Sequence, residues 1–169
     1  MCGRGDRPFD LERAVSYISC MPTQTEKQID PRMHSAEHIL NGTMVKTFGC
    51  ARSFTAHLEK KKSKCDYRFE RDLTADETKA LEARVNQVIA SGAQVREEFL
   101  DRPTAALQYD LGRLPEDAGE SVRIIHVGDY DACPCSGPHV RSTREIGTFR
   151  IVSTTHENGI LRIRFKLDL

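Results

Sequence analysis

Cys133-Pro134-Cys135-Ser136-Gly137-Pro138-His139 lies roughly four-fifths of the way along a chain of 169 residues. Gly137 and Pro138 forbid an ordinary helix there, so the segment reads as a tight loop. A loop that turns back on itself can aim a thiolate and an imidazole, Cys135 and His139, at one point. Far upstream His34 and His38 form a second pair with the same spacing, inside His34-Ser-Ala-Glu-His-Ile-Leu40. That pattern is helical, so both imidazoles project from one face. A histidine on a helix is more often just a satisfied polar residue. Here two nitrogens from a helix and a sulfur and a nitrogen from a loop make a four-ligand set suited to Zn²⁺.

The length suits one domain with a real core. Basic and acidic residues balance at 25 each, so any nucleic-acid partner must be held by a local patch. No apolar run is long enough to cross a bilayer, and the N-terminus lacks the apolar stretch of a secretory signal. Six cysteines without an export signal point to a reduced, cytoplasmic chain with a metal site rather than to a disulfide framework.

Residues 1–30 carry a possible short helix over Leu11 to Ile18 and are read as an extension of unclear role; residues 31–169 form the domain. Asp30 and Pro31 suit the cap and first turn of a helix whose apolar face is Met33, Ile39, Leu40, Met44 and Val45, ending at Gly49. Ser53 to Leu58 and Cys65 to Glu70 alternate with a period of two and read as a hairpin. Its turn carries Lys60, Lys61, Lys62 and Lys64, which suit a phosphate backbone or simply a solvated tip. Thr74 and Glu77 form a capping box for a helix through Leu81, Val85, Val88 and Ile89 to Gly92. Val95 to Leu100 reads as a strand, Ala105 to Tyr109 as a short helix and Val122 to Val127 as a buried strand. Thr148 to Thr155 and Ile160 to Leu167 form a closing hairpin across Asn158-Gly159, a strong turn signal.

Three chemistries compete for these residues. Cys plus His could serve a cysteine protease, but no local signature of one is present. His34-Ser-Ala-Glu37-His38 matches the H-x-x-E-H pattern of some zinc peptidases, with Glu37 as general base; that pattern arises easily by chance and leaves Cys135 and His139 unexplained. The third is a zinc-stapled binding module without catalysis.

The joint pattern of His-x-x-x-His with a distant Cys-x-Gly-Pro-His-Val resembles the editing domain of alanyl- and threonyl-tRNA synthetases and of freestanding alanyl-tRNA editing proteins. Cys135-Ser-Gly-Pro-His139-Val140, the run Ser142-Thr-Arg-Glu-Ile-Gly-Thr-Phe149 and Val127-Gly-Asp129 carry the resemblance, which covers about residues 33–167. Pro138 is the threonyl choice, and Glu145-Ile-Gly147 the alanyl one.

The resemblance implies an α+β fold, a largely antiparallel sheet wrapped around a long helix. It implies a small stand-alone deacylase acting on mischarged tRNA, with seryl- or glycyl-tRNA of the alanine type as substrate and seryl-tRNA of the threonine type as the nearest variant. His34, His38, Cys135 and His139 would hold Zn²⁺, the first three as catalytic residues. Zn²⁺ can activate a water or orient the amino acid's α-amino group, though the threonyl branch works without a metal. Ser53, Thr55 and His57 lie on one face of a strand that the family uses to line its amino-acid pocket. Lys60, Lys61, Lys62 and Lys64 would meet the tRNA acceptor end. Cys133 reads as a fifth metal-capable group or, more simply, a packed thiol.

Overall fold

The computed structural model describes residues 29–59, 61–112, 114 and 119–168. The helix expected over Leu11 to Ile18, and Lys60, lie outside the described residues.

The first helix, α1, spans Pro31–Phe48. Asp30 caps it, its side chain accepting from the Arg32 N–H at 2.9 Å, and Pro31 occupies a position where no backbone donor is needed. From Met33 to Met44 it is buried almost all round, including Ser35, Glu37, His38, Asn41 and Thr43. This is more than the one apolar face read from the sequence. Val45, expected on that face, is exposed because the helix emerges from the core after Met44. A hairpin follows, β1 (Thr55–His57) and β2 (Ser63–Arg68), with Thr55 opposite Asp66 and His57 opposite Lys64.

The second helix, α2 (Ala75–Ser91), starts at the capping box of Thr74 and Glu77 and buries Leu81, Val85, Val88 and Ile89. Next come β3 (Val95–Asp101), α3 (Arg102–Gln108) and β4 (Ser121–Val127). A short strand follows, β5 (Asp131–Pro134), and then the hairpin β6 (Thr148–Glu157) and β7 (Ile160–Asp168). Asn158 and Gly159 both have positive φ, 51° and 75°, as a tight hairpin turn requires.

The α+β, antiparallel architecture expected from the sequence is present, divided into two sheets. One has the order β1-β2-β7-β6, the other β3-β4-β5. Ile39, Leu40 and Met44 of α1 share the main core with Tyr67, Phe149, Leu161, Ile163 and Phe165 from the larger sheet and with the buried face of α2. The outer edge of β6 is closed by α2 rather than by another strand. Asn86 accepts from the Phe149 N–H and donates to the Phe149 carbonyl, at 2.9 and 2.8 Å, and Glu82 accepts from the Ile151 N–H at 2.7 Å. Side chains thus satisfy backbone groups that would otherwise sit unpaired on an edge.

Two elements differ from the sequence reading. Asp131–Pro134 is a strand paired with β4, so the loop proper starts at Cys135. Pro134 is tolerated because it lies at the end of an edge strand. The run after His139 folds into a single 3₁₀ turn, Thr143–Ile146. Glu145 accepts from the Arg141 and Ser142 N–H groups, Ile146 is fully buried, and Gly147 takes φ 88°, ψ −154°, a region that suits glycine. The Glu145-Ile-Gly147 motif is therefore structural, fixing how the chain leaves the Cys135–His139 loop.

Candidate metal centre

One turn of α1 separates His34 from His38, and their ring centroids are 5.2 Å apart. The loop brings Cys135 and His139 against them. Cys135 Sγ lies 3.3 Å from His34 Nε2 and 3.4 Å from His139 Nε2. The His139 ring sits 4.3 Å from that of His34 and 4.4 Å from that of His38, centroid to centroid. One ligand atom from each of the four residues lies within 4.8 Å of all the others. Tetrahedral Zn²⁺ places its sulfur and nitrogen ligands about 3.5 Å apart, given bonds of about 2.3 and 2.0 Å. The structure therefore brings together all four residues expected from the sequence.

The loop is held from behind by β4. Arg123 donates to the carbonyls of Cys135 and Gly137, at 3.1 and 2.8 Å, while the Cys135 N–H returns a bond to the Arg123 carbonyl at 3.0 Å. Glu97 on β3 orients the same guanidinium at 2.8 Å. Gly137 lies under the His34 ring, and a Cβ there would overlap it. From the helix side Ser35 Oγ meets His139 Nδ1 at 3.1 Å and accepts from the Val140 N–H at 3.2 Å. A hydroxyl can accept both bonds. When Nδ1 donates to it, Nε2 keeps a lone pair for a metal, the usual outer support of a ligating histidine.

Burial sets the electrostatics. It holds His34 below its ordinary value, and with the nearby His34 and Arg123 it pushes His139 down to about 3. Burial also raises the Cys135 thiol, and lifts that of Cys133 to about 12. Neutral imidazoles and a dry thiol are donors that a divalent cation would stabilise, so the residues fit Zn²⁺. A raised thiol is the opposite of what an unaided cysteine nucleophile needs.

A second group meets at His38. Cys133 Sγ lies 3.4 Å from His38 Nδ1, and Asp131 Oδ2 lies 3.9 Å from the same atom. Arg52 grips Asp131 with two bonds of 2.7 and 3.0 Å. Cys133, Asp131 and His38 thus form a second group whose ligand atoms lie close enough to hold a metal, so both readings of Cys133, metal-capable group and packed thiol, remain compatible with its position. Arg52 escaped the sequence reading, because its partner is 79 residues away and no local pattern marks it.

A cleft of about 450 Å³ opens beside the cluster, lined by His34, Glu37, His38, Arg52, Cys133 and Cys135 and by Ala56, His57 and Leu58 of the β1 segment. The three residues expected to line an amino-acid pocket separate here. His57 borders the cleft, and Thr55 is half-buried in β1. Ser53 precedes the strand and is fully buried. Its N–H donates to Asn41 Oδ1 at 2.8 Å, and its hydroxyl donates to Glu37 Oε1 at 3.4 Å. Asn41 also bonds Glu37 directly. This buried Glu37–Asn41–Ser53 network went unread in the sequence, though Glu37 and Asn41 at i,i+4 on a buried helix were its one signal. Lys61 and Lys62 are exposed and Lys64 is half-buried, on a turn next to Leu58 and Glu59 at the cleft edge.

The fold and site define a class: an antiparallel α+β domain with three imidazoles and a thiol converging from one helix and one loop. Residues 122–164 match the family described as the threonyl and alanyl tRNA synthetase second additional domain. The chain is 33% identical to the alanine–tRNA ligase of Aeropyrum pernix over 141 residues, 79% of this chain and 15% of the ligase. It is 33% identical to that of Fervidobacterium nodosum over 134 residues, 78% and 16%. For Nitrosopumilus maritimus the figures are 27% over 155 residues, 88% and 17%. This chain is thus a relative of the synthetase second additional domain, as its motifs implied, and spans about one-sixth of the length of these ligases. No helix among the described residues is long and apolar enough to cross a membrane.

Proposed function

We propose that residues 31–169 form an aminoacyl-tRNA deacylase domain acting in the cytoplasm, with serine or glycine esters on alanine-type tRNA as substrates. The observation that carries the reading is the convergence of His34, His38, Cys135 and His139, the first three of which line one cleft, in a chain homologous to part of the alanine–tRNA ligases. The reaction adds water across an ester: water oxygen bonds the carbonyl carbon, and the ribose oxygen leaves with a proton.

His34, His38, Cys135 and His139 hold Zn²⁺ in this reading. When bound, the ion supplies a Lewis acid that polarises a carbonyl or makes a nearby water more acidic. The chain's own residues do the rest. Ser35 and Arg123 fix the two ends of the loop. His34, kept neutral by burial, would offer its ring lone pair to the ion. His57 contacts the amino acid. Ser53, buried, acts by holding Glu37, which lines the cleft, and Thr55 stands in β1 opposite Asp66. Lys61, Lys62 and Lys64, on the turn next to Leu58 and Glu59, meet acceptor-end phosphates, and Lys60 belongs to the same basic run in sequence. Pro138 inside the loop supports a second substrate, seryl-tRNA of the threonine type.

Side-by-side hydrolysis of seryl-tRNA of the alanine and threonine types tests the assignment. Faster release from the alanine type is expected. Faster release from the threonine type reverses the branch, and equal release of alanine and serine removes the proposed recognition of the amino acid by His57.

A further inference from the structure

Behind the cleft lies a second hollow of about 520 Å³, between the end of α1 and the β3-β4-β5 sheet. Gly42, Lys46, Arg96, His126 and Tyr130 border it, and Arg52 borders both hollows. The Arg52–Asp131 pair is therefore the partition between them, with Asp131 on the far side from the cleft. Gly42 lets that partition sit close to α1: a Cβ there would lie 3.0 Å from Asp131 Oδ1.

The charges around this hollow are unbalanced. Lys46 Nζ sits 5.3 Å from the centre of the Tyr130 ring and the Arg84 guanidinium 5.6 Å from it. The ring is itself pinned, its hydroxyl meeting Thr43 Oγ1 at 2.9 Å. Among the described residues neither Lys46, Arg84 nor Arg96 has a carboxylate partner within ion-pair distance. Asp131 is already paired with Arg52, and Glu98 is bonded at 2.7 Å to His126, whose other ring nitrogen lies 3.5 Å from Arg96, so Glu98 and Asp129 stand against the three cations Lys46, Arg84 and Arg96. Holding two like charges against one ring costs energy that an anion beside them would offset. The whole chain has no net charge, so this surplus is local.

We infer that the hollow bordered by Lys46, Arg96 and Tyr130 seats backbone phosphates of the RNA whose charged end enters the cleft. This rests on the deacylase reading and assigns the RNA a path over Arg52 that the lysine turn of the β1–β2 hairpin does not provide. Ordinary phosphodiesters suffice, because the contacts are cationic and none reads a base edge. The lysine turn adjoins the cleft at Leu58 and Glu59, and the second hollow adjoins it at Arg52.

The test is fluorescence anisotropy with labelled, uncharged alanine-type tRNA, titrated between about 50 and 200 mM salt. Lys46→Glu with Arg96→Glu should weaken binding by at least about tenfold and reduce the salt slope by about two. Both side chains are exposed, so unchanged circular dichroism is expected; the Lys46→Gln, Arg96→Gln pair gives the same direction with a smaller loss. Inorganic phosphate should compete no better than chloride at matched ionic strength. Unchanged affinity and slope in the double variant overturn the inference, as does specific displacement by inorganic phosphate, which would mark a small-anion site. Hydrolysis of seryl-tRNA by the wild-type chain is read separately. If it fails while tRNA binding depends on Lys46 and Arg96, the deacylase reading falls and the docking surface stands. If it proceeds and the double variant binds as wild type does, the reverse holds.

Discussion

The imidazole of His34 fills the space that a side chain on residue 137 would need. The loop can therefore approach α1 closely enough to bring Cys135 and His139 to the helix only because residue 137 is glycine. Gly137→Ala should displace the His34 ring and weaken zinc affinity by at least about tenfold, with helix content unchanged. Competition against a chelator of known affinity measures it, and wild-type affinity in the alanine variant would remove the close-approach argument.

Ser35 is the second support of the cluster. Ser35→Ala deletes the contact to His139 Nδ1 and leaves the buried Val140 N–H without its acceptor. A loss of about 10–100-fold in metal affinity is expected. Thermal stability should also fall by a few degrees, since an unsatisfied buried donor costs about 1–3 kcal/mol. Cobalt substitution offers a direct readout, because its visible spectrum reports how His139 is held. An unchanged spectrum and affinity would make Ser35 a packing residue only.

Glu37 and His38 share a helix turn but are expected to behave differently. His38 faces the cluster, whereas the Glu37 carboxylate is engaged by Asn41 and Ser53. His38→Ala should abolish ester hydrolysis, while Glu37→Gln, which preserves the shape and one acceptor oxygen, should retain it within about tenfold. Complete loss in a folded Glu37→Gln protein would restore the general-base role that the H-x-x-E-H pattern suggested.

Acid should destabilise the fold through two carboxylates remote from the cluster. Arg162 bonds both oxygens of Asp66, each at 2.7 Å, and holds its carboxyl below the ordinary 3.8. Arg71 and the Thr74 cap hold Glu77 at about 2. Unfolding returns both to ordinary values, so in acid the unfolded chain binds protons that the folded chain does not. The stabilisation is complete above about pH 5 and is lost as pH falls toward the folded-state values. The melting temperature should drop over that range, less steeply in Asp66→Asn with Glu77→Gln. An identical slope in that double variant would contradict the assignment.

The parts legible in the sequence were those encoded locally. The Asp30 and Thr74 caps, the Asn158-Gly159 turn and the two four-residue ligand spacings each sit within a few residues, and each is realised. Their meeting in space was legible only through the family pattern, because a hundred residues separate the pairs. The missed features depend on distant partners: Arg52 with Asp131, Asn86 with the Phe149 backbone, and Ser53 with Asn41. Strand β5 was hidden by its shortness and its proline. Ser53, Thr55 and His57 were read as one strand face, but the strand starts at Thr55, and the preceding turn carries Ser53 into the core.

The central claim is that the His34–His38–Cys135–His139 cleft hydrolyses an aminoacyl ester. The most direct measurement is the rate of serine release from seryl-tRNA of the alanine type by the zinc-loaded chain, set against His38→Ala under the same conditions. Release well above the spontaneous rate, abolished by the substitution, is the result predicted. A folded, zinc-loaded wild-type protein that leaves the ester intact on both alanine- and threonine-type tRNA would contradict it.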